Sequence, residues 1–291
     1  MSKNDSNFQV KFMSFMFKGK EIFKPLNTGF IDDRVSCIRE YVANIYFYSK
    51  DGHTIMIDAG YNYDRLAEKM QWLGINSKDI KEILVTHQDT DHVGAIEEGS
   101  DELFREATIY IGNIENEYLE GRKHRKVFWG LTTLPLVIID NPKILIEDGQ
   151  IFYIGNIKIE AFLVPGHTWG HLVYLVDDCY LFTGDTLWLG ADGGYAFLNT
   201  LAEDRKLQCQ SLQRLKEILV KRNLQLKIIT GHTGWTDDFD FAFAHIDEIC
   251  NSMRRKPKVH DPKAPYDGFD ESEDTEENAR SGYLAQCYKA R

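Results

Sequence analysis

Four short apolar runs in this sequence end alike, on polar residues of the kinds that bind metal ions. Glu82–Val85 leads into Thr86-His87-Gln88-Asp89-Thr90-Asp91-His92, 162–164 into Pro165-Gly166-His167, Tyr180–Phe182 into Thr183-Gly184-Asp185, and Lys227–Thr230 into Gly231-His232. In sheets built by strand–helix alternation, residues just past the strand ends face a common crevice, so groups distant in sequence can meet there. Gly166, Gly184 and Gly231 each precede a candidate ligand, where glycine permits the sharp turn that aims the next side chain across the sheet end.

The patterning around these runs predicts strands and helices in alternation after a β-rich start. Strand formers fill 8–17, 41–48 and 54–57, and a Lys50-Asp51-Gly52 turn makes a hairpin of the last two. Leu66, Met70 and Leu73 fall at helical spacing with Gly74 as a stop. Strand returns at 83–85, a helix is expected to reach about Glu98, and 107–111 is strand again. Further strands are predicted at 151–154, 157–164, 172–175 and 180–182. A helix with Leu212, Leu215, Ile218 and Leu219 on one stripe follows, then a strand at 226–229. Phe241, Phe243, Ile246 and Ile249 suit a last packing helix. A catalytic domain over 1–253 then carries a charged appendage over 254–291. With seven acids and no base in 266–277, the appendage reads as solvated rather than anchored through Tyr266, Phe269 and Tyr283.

Charge and cysteine usage narrow the partners. The 45 acidic residues against 34 basic ones give a formal charge of −11, which repels nucleic acid and anionic membrane and leaves a small-molecule substrate. Cys37, Cys179, Cys209, Cys250 and Cys287 are scattered and form no C-x-x-C, as expected of reduced thiols in a cytoplasmic protein. No apolar run reaches the roughly 20 residues of a membrane span, and the start of the chain lacks a signal-peptide core. G-x-S-x-G, P-loop and G-x-G-x-x-G patterns are missing. Composition leaves oligomeric state open.

His87, Asp89, Asp91 and His92 put two imidazoles and two carboxylates within six residues. Alone, the segment is also open to a second, less favoured reading, a helix start capped by Asp89 or Asp91. His167, Asp185 and His232 decide between these readings, because a polar group at a buried strand end needs a partner and these complete a coordination set. Seven donors exceed what one tetrahedral ion takes and suit two ions. In order and spacing, His87 to His92, Pro165-Gly166-His167-Thr168-Trp169-Gly170, Gly184-Asp185 and Gly231-His232 resemble the HxHxDH, PGHTxG, GD and GH motifs of metallo-β-lactamase-fold hydrolases. The likeness runs from about Val35 to Thr233 and includes the turn Ile57-Asp58-Ala59-Gly60. Asp89 departs from it, standing where the family usually has histidine, as in flavodiiron proteins.

The resemblance implies an α/β fold, an αββα four-layer sandwich of two mixed β-sheets flanked by helices. It places His87, Asp89 and His167 on one ion, Asp91, His92 and His232 on the other, and Asp185 between them. Two divalent metal ions follow, zinc foremost with iron or manganese as alternatives. Such a pair would acidify a bridging water and polarise a carbonyl or phosphoryl oxygen, with Asp91 as the catalytic proton acceptor. Counting Asp89, Asp91, Asp185 and a bridging hydroxide against two divalent cations, Asp89 makes the inner sphere formally neutral. That would weaken its pull on anionic substrates and favour manganese or iron over zinc. The expected activity is hydrolysis of an ester, lactone or thioester. Phosphodiester cleavage, a di-iron redox role suggested by Asp89, and metal binding without turnover are the alternatives. His171 is expected beside the ligands, and Trp188 occupies the place of a tyrosine that stabilises the oxyanion in related lactonases. Trp129, Trp188, Tyr195, Phe197 and Trp235 are expected in the core rather than lining a pocket.

Overall fold

The computed structural model describes residues 23–61, 64–100, 102–190, 192–249 and 272–286. The first half of the chain builds a seven-stranded sheet. It comprises β1 (Gly29–Phe30), β2 (Val35–Arg39), β3 (Asn44–Lys50), β4 (His53–Ile57), β5 (Glu82–Val85), β6 (Thr108–Gly112) and β9 (Lys143–Ile146), in that spatial order, while β7 (Lys126–Val127) and β8 (Thr132–Thr133) form a separate two-stranded sheet. Strands β1 to β4 pair antiparallel, and β4, β5, β6 and β9 run parallel. The β3–β4 hairpin turns on Asp51 and Gly52, both at positive φ, as a tight hairpin turn requires. Between β4 and β5 lies α1 (Leu66–Trp72), ended by Gly74 at φ +71°.

The second half builds a six-stranded sheet: β10 (Ile151–Ile154), β11 (Ile157–Leu163), β12 (Leu172–Val176), β13 (Tyr180–Phe182), β16 (Lys227–Thr230) and β17 (Gly234–Thr236). Only β13 and β16 in it run parallel. The crossover between them contains α4 (Arg205–Arg222), the longest helix among the described residues. Asp204 caps its N-terminus by accepting from Lys206 N and Leu207 N, and Asn223 ends it in the left-handed conformation.

Strand alternation sorts the core into layers. Leu172, Tyr174 and Val176 of β12 face Cys37, Tyr46, Tyr48 and Ile57 across the space between the sheets. Val173 and Leu175 point the other way, onto Leu212, Leu215 and Leu219 of α4. On the outer face of the first sheet, Phe47, Met56, Ile83 and Ile109 pack with Leu66 and Met70 of α1. The expected αββα sandwich of two mixed sheets is therefore what the chain forms. Trp235 lies in the inter-sheet core as expected, whereas Trp129 is exposed.

Several expectations need correction. The helix expected up to about Glu98 is only α2 (Thr90–Val93) followed by one 3-10 turn at Gly94–Ile96. The last packing helix is split: α5 (Phe239–Ala242) ends early, and β18 (His245–Ile249) pairs parallel with β15 (Gly193–Ala196), itself joined to β14 (Leu187–Gly190). The close approach is possible because Gly194 has no Cβ; one built there would lie 1.8 Å from Ala242 O. The solvated tail does not describe residues 272–286, where α6 (Glu276–Arg280) packs near α1 and β1. Asp274 is buried against Lys69 Nζ at 2.5 Å, Thr28 donates to it from its amide and hydroxyl, and Leu284 N donates to Phe30 O. The strand expected at 8–17, with Tyr266 and Phe269, lies outside the described residues.

Candidate metal centre

The four strand-end clusters meet at one edge of the sandwich. Asp185, after β13, stands between two groups of donors. Its Oδ1 is 3.1 Å from His92 Nε2, and its Oδ2 is 2.9 Å from His232 Nε2, 3.7 Å from His167 Nε2 and 3.9 Å from His87 Nε2. One oxygen atom or ring nitrogen from each of Asp91, His92, Asp185 and His232 lies within 4.8 Å of the others, and the same holds for His87, His167 and Asp185. Asp91, with its side chain 18% exposed, is the most accessible carboxylate; its Oδ2 is 3.5 Å from His232 Nε2.

Hydrogen bonds on the far side of three rings decide which nitrogen offers a lone pair. His232 Nδ1 lies 2.6 Å from Val42 O, which can only accept, so Nδ1 carries a proton and the lone pair of the neutral ring is on Nε2, the atom 2.9 Å from Asp185 Oδ2. His92 Nδ1 donates in the same way to Asp58 Oδ2 at 2.8 Å. Thr86 Oγ1 donates its hydroxyl proton to Asp58 and so accepts from His87 Nδ1 at 3.0 Å, again leaving Nε2 unprotonated. Asp58, at φ +57°, thus fixes two rings at once and takes the Thr86 amide as well. His171 is no ligand: its Nε2 accepts from the Asp185 amide at 3.1 Å, which holds the aspartate in place, and its ring stacks on His87.

This arrangement fits metal ions on its own atoms. His87 Nε2, His92 Nε2 and Asp185 Oδ1 are buried and make no hydrogen bond, and such groups are tolerated when a cation satisfies them. The electrostatics agree. Burial opposes charge on His92 and His232, yet the surrounding carboxylates, Asp185 foremost, raise the pKa of both. Burial likewise opposes the charge on Asp185, but His232 and His92 hold its pKa well below the carboxylate range. Cations in this centre would supply the positive charge that protons otherwise provide.

Asp89 behaves differently. It occupies the N-cap position of α2 but makes no capping bond. Instead Arg125 Nε meets its Oδ1 at 2.7 Å and Arg125 Nη2 its Oδ2 at 2.8 Å, with Gln88 Nε2 on Oδ1 at 2.9 Å. Burial opposes its charge, and Arg125 overcomes this, keeping the carboxylate ionised. Asp89 remains near the histidines, its Oδ2 3.2 Å from His167 Nε2 and 3.6 Å from His87 Nε2. Six of the seven residues expected as ligands stand in the two donor groups and Asp89 stands in neither; sequence reasoning missed Arg125, in a basic loop 36 residues further on. It also missed Glu115, on α3 (Asn113–Leu119), which accepts from Gln88 N, Gly170 N and Thr168 Oγ1 and so ties the first ligand loop to the second. Burial raises the Glu115 pKa to about 8. Of the other histidines, His53 pairs with Glu82, His124 is exposed and His245 stacks on Tyr195.

The metallo-beta-lactamase superfamily model matches residues 38–271. The chain belongs to this superfamily. It is 28% identical over 179 residues to a probable polyketide biosynthesis zinc-dependent hydrolase of Bacillus velezensis, covering 62% of this chain and 67% of that one. It is 30% identical over 175 residues to a hydroxyacylglutathione hydrolase of Shewanella baltica, covering 60% of this chain and 56% of the relative. The match thus spans between about half and two thirds of those two proteins. A metallo-beta-lactamase of Cronobacter sakazakii shares the fold, with a TM-score of 0.53, 20% identity and coverage of 72% and 80% of the respective chains. These similarities support a metal-dependent hydrolase, with zinc as the metal they name. Among the described residues no helix is long and apolar enough to cross a membrane.

Proposed function

We propose that this chain is a binuclear, zinc-dependent cytoplasmic hydrolase that cleaves the acyl bond of a small thioester or ester. The observation that carries this reading is the set of buried histidines whose Nδ1 protons are taken up by Val42, Asp58 and Thr86, leaving Nε2 lone pairs converging on Asp185. Asp91, His92, His232 and Asp185 would hold one ion; His87, His167 and Asp185, with Asp89 beside them, the other. When bound, the ions supply an acidified water and polarise the scissile carbonyl.

The chain's own residues do the rest. Asp91, the most accessible of these carboxylates, takes the proton of the attacking water on one oxygen and passes it to the leaving sulfur or oxygen. An apolar cluster of Phe23, Val42, Tyr61, Trp188, Tyr195, Phe197 and Leu198 adjoins the centre, with Phe197 stacked on His232 at 5.0 Å and Phe23 edge-on to it at 4.9 Å. Such walls exclude water and suit an uncharged acyl group better than a phosphodiester. The thioester preference rests on the hydroxyacylglutathione hydrolases among the relatives. Trp188, buried on β14, offers no hydroxyl to a lactone oxyanion. The di-iron redox alternative loses its motive, since Asp89 is paired with Arg125. No nucleic-acid or membrane partner is proposed for a chain of net charge −11.

Metal analysis and turnover on acyl-glutathione, simple ester, lactone and phosphodiester probes test the proposal. Thioester and ester hydrolysis lost on chelation and restored by zinc is the expected result. Turnover confined to phosphodiesters, or no turnover at full zinc occupancy, would overturn it.

A further inference from the structure

The two halves of the centre are not built alike. One gathers four donors: Asp91, His92, Asp185 and His232. In the other, the mutually close donors are His87, His167 and Asp185; Asp89, the fourth candidate, is left out. Asp89 Oδ2 is 3.2 Å from His167 Nε2 and 3.6 Å from His87 Nε2, but Arg125 engages it. Its guanidinium forks onto both oxygens of Asp89, and the Nη2 that bonds Oδ2 also lies 3.2 Å from His167 Nε2. The arginine is held from behind, with Nη2 donating to Leu201 O at 2.8 Å and Nη1 to Lys126 O at 3.0 Å, and it is 3% exposed. A guanidinium does not deprotonate in proteins, and a two-point fork is the geometry it holds most firmly. The carboxylate nearest the His87/His167 half is therefore already engaged, its charge neutralised by the guanidinium.

We propose that Arg125 makes the two ion sites unequal: the Asp91–His92–Asp185–His232 site holds its ion tightly, and the His87–His167–Asp185 site holds one weakly and exchangeably. The proposal rests on the metallohydrolase reading above. It deepens it by assigning Arg125 as a positioning residue that withholds Asp89 from the ion by neutralising and holding its carboxylate. Asp89 then contributes to the weak site only when the fork releases it.

The test is a titration of the metal-free full chain with zinc against a competing chromogenic chelator, repeated with cobalt(II) to follow ligand-field bands. Wild type should show two classes of site separated by about 100-fold or more, the scale on which neighbouring groups tune metal affinity. Arg125→Gln, which frees Asp89 and removes the charge, should close the gap to within about tenfold by tightening the weak class and should alter its cobalt spectrum. Asp89→Asn, close in shape, should leave the tight class within about threefold of wild type and weaken the weak class, because Arg125 then stands unneutralised beside His167. Equal affinities in wild type, or loss of a tight site in Asp89→Asn, would overturn the proposal and leave the hydrolase reading standing. The wild-type titration decides even if Arg125→Gln fails to fold. Binding of no divalent ion at all would overturn both.

Discussion

Asp58→Asn isolates the oriented imidazoles from the mere presence of the ligands. Asp58 accepts from Thr86 N at 2.8 Å on Oδ1, and from His92 Nδ1 at 2.8 Å and Thr86 Oγ1 at 2.8 Å on Oδ2. An amide offers one acceptor oxygen and one donor group, so it cannot serve both sides. With its oxygen towards His92, its NH2 faces the buried Thr86 amide, donor against donor. Turned round, its NH2 demands a lone pair from His92 Nδ1, which moves the ring proton to Nε2 and removes the lone pair aimed at Asp185. Either outcome leaves a buried group unsatisfied, at about 1–3 kcal/mol. Expressed as affinity, that is roughly 5- to 150-fold weaker metal binding. Asparagine tolerates the φ of +57° found here, so backbone strain does not confuse the comparison. Chelator competition on the folded variant reads the affinity, and circular dichroism confirms the fold. A folded Asp58→Asn binding zinc within about threefold of wild type would refute the tautomer argument.

Asp274→Ala removes the carboxylate 2.5 Å from the Lys69 ammonium, whose side chain is fully buried and also donates to Arg39 O, and should cost up to about 3–5 kcal/mol in denaturant unfolding; replacing both partners with apolar residues should recover much of it, and a cost under about 1 kcal/mol contradicts the clasp. Asp185→Ala should weaken both classes of metal site, since its oxygens face both halves; one site at wild-type affinity would end its assignment as the shared ligand. Glu115, raised from 4.5 to about 8 by burial, binds its proton more tightly folded than unfolded, so its contribution is complete below about pH 4.5 and is lost as pH rises through about 8. Wild type should therefore lose stability relative to Glu115→Gln across that window, and parallel pH profiles would show that burial does not control this carboxyl.

Regions governed by local periodicity were legible in the sequence. Helix α4 carries its apolar stripe on Leu212, Leu215 and Leu219 and buries that stripe, and β12 alternates as a strand packed on both faces should. The metal centre was legible because glycine-flanked ligands after strand ends form a local signature that needs no knowledge of pairing. What escaped depends on contacts between distant segments. Phe241, Phe243 and Ile246 fit a helix by spacing, but Gly194 lets the 242 backbone come close enough for His245–Ile249 to join β15 instead. The acidic run at 266–277 has a disordered composition, yet one of its acids, Asp274, is fixed by Lys69 and Thr28, neither of which lies nearby in sequence.

Asp89 is the instructive case, because the residue was identified and its effect inverted. Counted alone, its carboxylate makes a two-ion centre formally neutral, favouring harder ions and a less acidic water. The structure adds Arg125, bonded to both oxygens and buried beside them, so the pair is neutral as a unit, as a histidine in that place would be. The centre regains the net positive charge of the usual ligand set, and the argument for manganese or iron over zinc falls away. Asp89→His also changes meaning. Instead of restoring the family's ligand, it would leave Arg125 buried against an imidazole and add a positive charge next to the ion site. Zinc binding at the His87/His167 half should then weaken rather than improve, unless Arg125 is replaced as well. The Asp89→His single variant and the Asp89→His/Arg125→Gln double variant separate these cases: tighter zinc binding in the single would mean that the carboxylate, not the ion pair, sets the character of the site.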